Sequence, residues 1–447
     1  MISRRGFLNL GVRTGLTAAT MPLWSNLLST EAFAQSNNTS SYKDVVLVSL
    51  VGGNDGNNMV IPISNDFYRQ YAALRNAVAL PQGSCLPLFG TDASSLGPVG
   101  LNPALTNVAS LFNQKKALIV ANAGPMVAPA TKEQLLANLS LQPEALLSHP
   151  AGAAQWQSAT TTMLPSTGWC GRIADIYKSQ SGLLPPVLSA SGSAIFSKGK
   201  TVQGIAVQVG GGGAVAVPVG LQEAVRTLLQ SDISSENLLV AQVARLRQSA
   251  TSEQAILNQA ATYGTPLKAT FSNSGFGFTL QKIAQIINGR SVIGASRQMF
   301  YCEQGNYDDH QNLVQNQANC LSDLDANLGS FMEALDEMGL TDQVLVCTHS
   351  DFNRTMQSNA TLGTDHAWGN HQLILSGGVL GGRILGTFPD FDLGGSCDMN
   401  DQGIWIPTTS VTQMTAGIGS WMGLSGNQLA AVFPDLTNFD AGPIQLT

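Results

Sequence analysis

One strand-like run constrains the fold of this chain more than any other feature. From Val45 to Val51 every side chain except Ser49 is apolar, so the run is hydrophobic on both of its faces. Strands of this kind belong to sheets that helices cover on both sides. Three later runs have the same character, and they lie at 117–121, 344–347 and 373–375.

Helix-like segments alternate with these runs. Residues 103–114 precede the second run, and apolar side chains between Leu313 and Met338 have the spacing of a long amphipathic helix that Gly339 ends. This β-α-β order predicts an α/β fold.

The middle of the chain has fewer strand signals. Leucine-rich stretches at 132–141 and 221–229 and a longer one at 236–261 predict helices, so we expect a mainly helical insertion at roughly 126–290. The run Gly210 to Gly213 lies between two strand-like segments, and no Gly-Lys-Ser/Thr follows it. This pattern indicates a flexible hairpin or loop rather than a phosphate-binding loop.

The composition excludes several classes of partner. Only 11% of the residues are charged, where about 25% is usual for a soluble domain, and the net charge is −7. The chain contains no run of Lys or Arg, so it has no electrostatic footprint for nucleic acid or anionic lipid. With 44% hydrophobic residues it is too apolar for a disordered chain.

The N-terminus has the features of an export signal. Arg4 and Arg5 precede a mildly apolar stretch, and Ala32-Phe33-Ala34 has the small-x-small pattern of a cleavage site. A membrane span is disfavoured because Arg13 interrupts the stretch and polar residues dilute it. We therefore predict a twin-arginine signal peptide at 1–34, a polar linker at 35–44, and export by the twin-arginine translocase to the periplasm or beyond. No second hydrophobic span follows, so we expect no membrane span in the mature chain.

Six cysteines are an even number, and they lack the close spacing of a zinc ribbon or a redox motif. In an oxidising compartment they favour disulfides over thiolate metal ligands. Cys302 and Cys320 could close a loop, whereas Cys347 lies in an apolar run and could be a buried thiol.

Histidines and acids are concentrated near the ends of predicted strands. Four of the five histidines fall within 62 residues. In open α/β sheets, ligands bind beyond the carboxyl ends of the strands, where such side chains meet. The histidines are His310, His349, His366 and His371, and the neighbouring acids include Asp308, Asp351 and Asp365, with Asp55 following the first strand.

Carboxylates and imidazoles without thiolates suit divalent ions such as Zn, Mn, Mg or Ca. One or two such ions would polarise a phosphoryl or sulfuryl oxygen and activate a hydroxyl or water for attack. The residues therefore indicate a hydrolytic metal site without defining its substrate.

Several blocks, in order along the chain, resemble one family. The blocks are the twin-arginine start, 52–56 (Gly-Gly-Asn-Asp-Gly), 307–310 (Tyr-Asp-Asp-His), 350–354 (Ser-Asp-Phe-Asn-Arg), 363–366 (Gly-Thr-Asp-His) and 406–410 (Ile-Pro-Thr-Thr-Ser). Together they resemble the bacterial exported proteins of the domain-of-unknown-function 1501 (DUF1501) family, which is related to the alkaline phosphatase-like and sulfatase-like superfamily. In that family the block at 350–354 usually reads Ser-Glu-Phe-Gly-Arg, and Gly commonly follows the Asp-His of the block at 363–366, where this chain has Ala367.

The resemblance implies an alkaline phosphatase-like three-layer α/β sandwich, in a single domain over 45–447, with a divalent-metal centre. Carried over residue by residue, Asp55 and Asp351 would lie on one metal position. Asp308, His310 and His366 would lie on the other.

Several of these residues have a second interpretation. Asp55 could be a turn acid, and Asp351 and Asp365 could be helix or turn caps. His349 and His371 could support the ligands or be core histidines. Arg354 could clamp a sulfate or phosphate oxyanion, or it could form a structural ion pair.

The nucleophile of the superfamily is usually a Ser, Thr or Cys at a helix N-terminus. Ser148 has that position before 149–157, although it could equally be a plain N-cap. We take Ser148, Arg354 and His349 as the candidate catalytic residues. A standard sulfatase is disfavoured because the chain has no Cys-x-Pro-x-Arg block.

Two functions agree with these observations. The first is an exported metal-dependent hydrolase of phosphate or sulfate esters, acting on a small molecule or a polymer. The second is a non-catalytic exported protein of the same fold that binds or assembles cell-surface material. The metal content of the purified protein would distinguish them.

Overall fold

The structure is a computed structural model, and it describes residues 42–91, 94–180, 182–207 and 222–447. The predicted signal peptide at 1–34, the linker up to residue 41 and the Gly210 to Gly213 run lie outside the described residues.

The described chain contains fourteen strands, numbered here in chain order. They are β1 (Lys43–Leu50), β2 (Val60–Pro62), β3 (Leu86–Pro87), β4 (Val99–Leu101), β5 (Ala117–Gly124), β6 (Val187–Ser189), β7 (Ile205–Ala206), β8 (Arg297–Gln304), β9 (Val344–Ser350), β10 (Asn353–Arg354), β11 (His366–Ala367), β12 (Asn370–Leu375), β13 (Ile384–Leu385) and β14 (Thr409–Ser410).

Nine of these strands form one mixed sheet. Its order is β13-β5-β12-β9-β1-β8-β6-β7, and β14 pairs with β5 beside this path. Strand β1 lies at the centre, parallel to both β8 and β9. Only β12 pairs antiparallel with its neighbours β5 and β9, so the other strands of this sheet share one direction. Their carboxyl ends consequently meet at one edge.

Twelve helices are described, also numbered in chain order. They are α1 (Asn65–Arg75), α2 (Thr106–Asn113), α3 (Lys132–Ala137), α4 (His149–Ser158), α5 (Trp169–Tyr177), α6 (Gln222–Ile233), α7 (Leu238–Thr262), α8 (Gly275–Asn288), α9 (Arg290–Ile293), α10 (Leu313–Glu337), α11 (Val411–Trp421) and α12 (Gly426–Val432).

Helices cover both faces of the sheet. Val46 and Val48 of β1 face a core that α2, α8 and α10 complete. Val45 and Leu47 of the same strand face a second core, which α4, α5 and α11 complete. The predicted three-layer α/β sandwich is therefore confirmed, and the strand that is apolar on both faces lies at its centre because both of its faces are buried.

The part of the chain between β5 and β8 corresponds to the expected helical insertion. It contains α3 to α9, and it also contributes β6 and β7, which extend the main sheet at one end. This segment is therefore integrated into the sandwich at least in part.

All six cysteines are free thiols in the structure. Cys85, Cys170, Cys302 and Cys347 are buried, and Cys320 lies beside the backbone carbonyls of Gly305 and Asn306. The expected disulfides are thus not formed here. The cysteines are distributed through the layers of the fold rather than arranged in bonded pairs.

Candidate metal centre

The candidate site lies at the edge where the carboxyl ends of β1, β8 and β9 meet. The loop after β8 carries Asp308 and His310, and the segment after β9 carries Asp351 and Arg354. Gly52, just after β1, has φ +116°, and a Cβ atom there would lie 2.6 Å from the backbone nitrogen of Asp308. A glycine at this position thus lets the loop after β8 approach the end of β1.

Three side chains from distant parts of the chain converge on one point. One ligand atom each from His149, Asp308 and His366 lie within 4.8 Å of one another. The Nε2 atoms of His149 and His366 lie 3.6 and 3.7 Å from Asp308 Oδ1.

A third imidazole, that of His310, joins this group. Its Nε2 atom lies 3.2 Å from Asp308 Oδ1 and 3.1 Å from His366 Nε2. Three imidazole nitrogens therefore surround a single carboxylate oxygen.

The other nitrogen of each ring faces an oxygen acceptor. His149 Nδ1 lies 2.8 Å from Asp351 Oδ2, and His310 Nδ1 lies 3.0 Å from Asp365 Oδ1. His366 Nδ1 lies 2.9 Å from the backbone carbonyl of Leu147. Histidines that bind metals usually donate their second ring N–H to a carboxylate or a carbonyl, which fixes the tautomer.

These partners assign the proton of each neutral ring to Nδ1, so each Nε2 carries a lone pair. In this tautomer the nitrogens of His310 and His366, 3.1 Å apart, cannot hydrogen-bond to each other. Two lone pairs at that distance repel unless a cation lies between them. The donor set, three imidazoles and one carboxylate, is one that Zn²⁺ and related ions prefer.

The Nε2 atoms lie on an open side of the protein. The exposed fractions of the side chains are 33% for His149, 45% for His310, 26% for His366 and 51% for Asp308. Burial lowers the pKa of His366, opposed by its hydrogen bond to Leu147, and this favours the neutral, metal-binding form. A ligand can reach this group of side chains from solvent.

Arg354 holds the carboxylate of Asp308 in place. Its side chain is fully buried, and one of its NH2 groups donates to Asp308 Oδ1. The same nitrogen also contacts the backbone carbonyls of Gly52 and Tyr307, and the other two nitrogens donate to the carbonyls of Gly53 and Thr364. Burial alone would raise the pKa of Asp308, but the hydrogen bond and charge of Arg354, together with the nearby His149 and His310, outweigh it and hold that pKa below its usual value. The guanidinium is therefore committed to the protein's own groups rather than extended toward an oxyanion.

Asp351 lies behind His149 rather than beside the Nε2 atoms. Its Oδ2 accepts from His149 and, at 3.0 Å, from the backbone N–H of Gly52. Burial raises its pKa, although these hydrogen bonds oppose the shift. Gly152 permits the helix that carries His149 to lie this close to Asp351, since a Cβ atom at residue 152 would lie 2.1 Å from the Asp351 carbonyl oxygen.

Asp55 is bound by groups outside the histidine cluster. Arg75 of α1 donates to its Oδ2 at 2.6 Å, and both side chains are fully buried. The backbone N–H of Asn58 donates to Oδ1 at 3.0 Å, and the Thr364 hydroxyl lies 3.3 Å from Oδ2. The structure thus brings Asp308, His310, Asp351 and His366 into one network, and it places Asp55 in a buried ion pair.

His349 and Ser148 complete the predicted set. His349 is fully buried, neither of its ring nitrogens has a hydrogen-bond partner, and it stacks on Trp156 at 5.6 Å. Burial lowers its pKa to about 3. Ser148 is the N-cap residue of α4, but its side chain makes no capping hydrogen bond, so the hydroxyl remains available next to His149.

Sequence reasoning did not single out His149 as a candidate ligand, and it did not pair Asp351 with His149 or Asp365 with His310. His149 is the fifth histidine, and it lies 159 residues before Asp308, outside the group of four. The available signal was its position directly after Ser148, at the start of the same predicted helix.

The profile of one protein family matches most of the chain. That family is described as "Protein of unknown function (DUF1501)", and the match covers residues 42–433. No curated protein matches the chain. Within the described residues, no helix is long and apolar enough to span a membrane.

Several solved structures are similar to this chain at low sequence identity. A sulfatase from Pseudoalteromonas sp. is 8% identical, with 81% of this chain and 68% of that chain covered and a TM-score of 0.33. The phosphonate monoester hydrolase of Agrobacterium radiobacter is 10% identical, with coverage of 86% and 74% and a TM-score of 0.36. A mutant of TAB5 alkaline phosphatase with bound Mg is 9% identical, with coverage of 77% and 94% and a TM-score of 0.32.

Proposed function

The chain belongs to the DUF1501 family, and we propose that it is an exported, metal-dependent hydrolase of phosphate or sulfate esters. One observation carries the proposal: three imidazole nitrogens converge on Asp308 Oδ1, and each ring has its second nitrogen held by an oxygen. This is the arrangement expected of a metal centre with an organised outer layer.

In this proposal His149, Asp308, His310 and His366 hold one divalent cation. When bound, that cation would supply Lewis acidity to polarise a phosphoryl or sulfuryl oxygen. The residues behind the ligands have positioning roles. Asp351 orients His149, Asp365 orients His310 and the Leu147 carbonyl orients His366, while Arg354 keeps Asp308 ionised and in place.

Three further assignments differ from those that the sequence suggests. Asp55 has a structural role because Arg75 already neutralises its charge. Arg354 acts on Asp308 rather than on substrate, since its side chain is fully buried and each of its three nitrogens donates to a group of the protein. His349 packs against Trp156 of α4 and thereby supports this helix.

Ser148 is the proposed nucleophile. Its hydroxyl is free of a capping bond, and it precedes His149 at the N-terminus of a ten-residue helix, where partial positive charge favours a bound anion. Ser148 is partly exposed, so an ester can reach its hydroxyl from solvent.

The test begins with metal binding. We expect the purified mature protein to bind one equivalent of Zn²⁺ or Mn²⁺ in a calorimetric titration, and His149→Ala to weaken that binding by more than about tenfold. The matched control is His371→Gln. His371 lies outside the cluster, where it accepts a hydrogen bond from the Asn122 backbone N–H, and glutamine can replace that acceptor.

Turnover of 4-nitrophenyl phosphate and sulfate then separates the roles. Ser148→Ala should keep the metal and lose turnover, whereas His149→Ala should lose both. If the wild-type protein binds no divalent ion, the proposal is wrong, and a non-catalytic role in binding surface material takes its place. If Ser148→Ala leaves turnover unchanged, water rather than Ser148 is the attacking group.

A further inference from the structure

A leucine-rich segment lies directly beside the metal centre. Between residues 135 and 147 the chain contains six leucines and a single charged residue, Glu144. We call the six leucines the leucine shelf. They are Leu135, Leu136, Leu139, Leu141, Leu146 and Leu147.

Four of the six leucines pack against one small core, and two are exposed. Leu135 is buried in a small core with Trp368 and Ile406, and Leu141, Leu146 and Leu147 pack partly exposed against that core. Leu136 and Leu139 are 55% and 74% exposed. These two leucines expose apolar surface to water within four residues of chain, and such exposure is unfavourable.

The shelf is continuous with the metal centre. Leu147 belongs to the shelf, and its carbonyl accepts the hydrogen bond from His366 Nδ1. Ala367, the residue after His366, is part of the core beneath the shelf. Leu147 also has φ +69°, a conformation that residues with a Cβ atom rarely adopt, so the segment is held in place here at some cost in backbone energy.

Glu144, the single charged residue of the segment, is hydrogen-bonded to residues 162 and 163. The carboxylate of Glu144 accepts from the Thr162 hydroxyl at 3.0 Å and from the Met163 backbone N–H at 2.8 Å. The carboxylate of Glu144 is therefore held by the segment at 162–163.

We propose that the leucine shelf binds the apolar chain of an amphiphilic ester whose phosphate or sulfate group lies at the metal centre. This inference rests on the proposed function and specifies its substrate class. A metal centre that binds an anion, next to a leucine-rich segment with two exposed leucines, matches a molecule with one charged end and one hydrocarbon end.

The test compares two probes that differ only in chain length. Butylphosphonate and octylphosphonate have a P–C bond that the enzyme does not hydrolyse, so calorimetry with the zinc-loaded full-length mature protein measures binding alone. We expect octylphosphonate to bind at least about tenfold more tightly, since each methylene removed from water contributes favourably. Leu136→Ser/Leu139→Ser should remove most of that difference and leave butylphosphonate binding unchanged.

The matched control is Leu238→Ser/Leu239→Ser. These leucines are 84% and 74% exposed at the start of α7, and they lie outside the shelf. This variant should keep the full preference for the longer chain.

Three results would overturn the inference. One is equal affinity for the two probes in a protein that binds zinc and butylphosphonate, in which case the proposed function stands without the apolar chain. Another is a chain-length preference that the control variant loses as well. The third is a dimer in sedimentation velocity that Leu136→Ser/Leu139→Ser converts to monomer, since a second copy would then cover the shelf. Failure to bind zinc would instead reject the proposed function itself.

Discussion

Replacing Asp55 by Asn tests whether this carboxylate is structural or a metal ligand. Asp55 and Arg75 form an ion pair at 2.6 Å, and both side chains are completely buried. The change Asp55→Asn keeps the shape of the side chain and removes its charge. The guanidinium of Arg75 then remains buried without its anion.

The structure allows the size of the effect to be estimated. Removing one partner of a buried ion pair destabilises a protein by about 3–5 kcal/mol. Arg75 also donates to the Asn58 side chain and to the carbonyls of Thr355 and Met356, so Arg75→Met should cost at least as much as Asp55→Asn. The double variant should cost about 1–3 kcal/mol less than the sum of the two, because the second change removes a charge that the first left unpaired.

The assay is urea unfolding followed by circular dichroism, together with zinc content under native conditions. The control is Asp66→Asn on α1, the helix that also carries Arg75. Asp66 pairs with Arg69 at 2.5 Å, but these side chains are 82% and 75% exposed, and exposed pairs contribute little to stability. This control should leave the unfolding curve nearly unchanged.

One pattern of results would refute the reasoning. If Asp55→Asn lowers the zinc content of folded protein while stability falls by less than about 1 kcal/mol, well below the range for a buried pair, Asp55 is a ligand. The structural assignment requires the opposite pattern, a large loss of stability with unchanged zinc content in the folded fraction.

Three more predictions follow from other parts of the molecule. Burial raises the pKa of Asp44 to about 7, so the folded state keeps a proton that the unfolded state releases above about pH 4; stability should therefore fall by up to about 4 kcal/mol as the pH rises from about 4 to 7, and in urea titrations Asp44→Asn should lack this fall. Gly152→Ala should destabilise the protein and weaken zinc binding, because the new Cβ atom would lie 2.1 Å from the Asp351 carbonyl oxygen and displace the residue that orients His149; unchanged thermal stability and zinc affinity would contradict this account. A reporter fused to residues 1–34 should be exported by the twin-arginine translocase and retained in the cytoplasm after Arg4→Lys/Arg5→Lys, and equal export of both forms would rule out the signal.

Local patterns in the sequence were enough to predict the class of fold and to place the candidate residues beyond the ends of strands. The run from Val45 to Val51 is apolar on both faces, and this local pattern is enough to require helices on both sides of the sheet, as the structure has. The sequence also predicted that the candidate metal-binding side chains lie beyond the carboxyl ends of strands, and Asp308 and His310 do follow β8. Such inferences succeed because burial and strand direction depend on short stretches of chain.

Which of the candidate residues come into contact depends on the folded chain as a whole. His149 reaches the centre from the N-terminus of α4, and Asp351 faces its Nδ1 atom because Gly152 lets the helix approach the end of β9. Asp55 lies in an equally conspicuous block, but Arg75 arrives from α1 and neutralises it. The role of an ionisable side chain depends on the charges and hydrogen-bond partners within a few ångströms of it. Those partners come from segments far away in the chain, so no local pattern of residues records them.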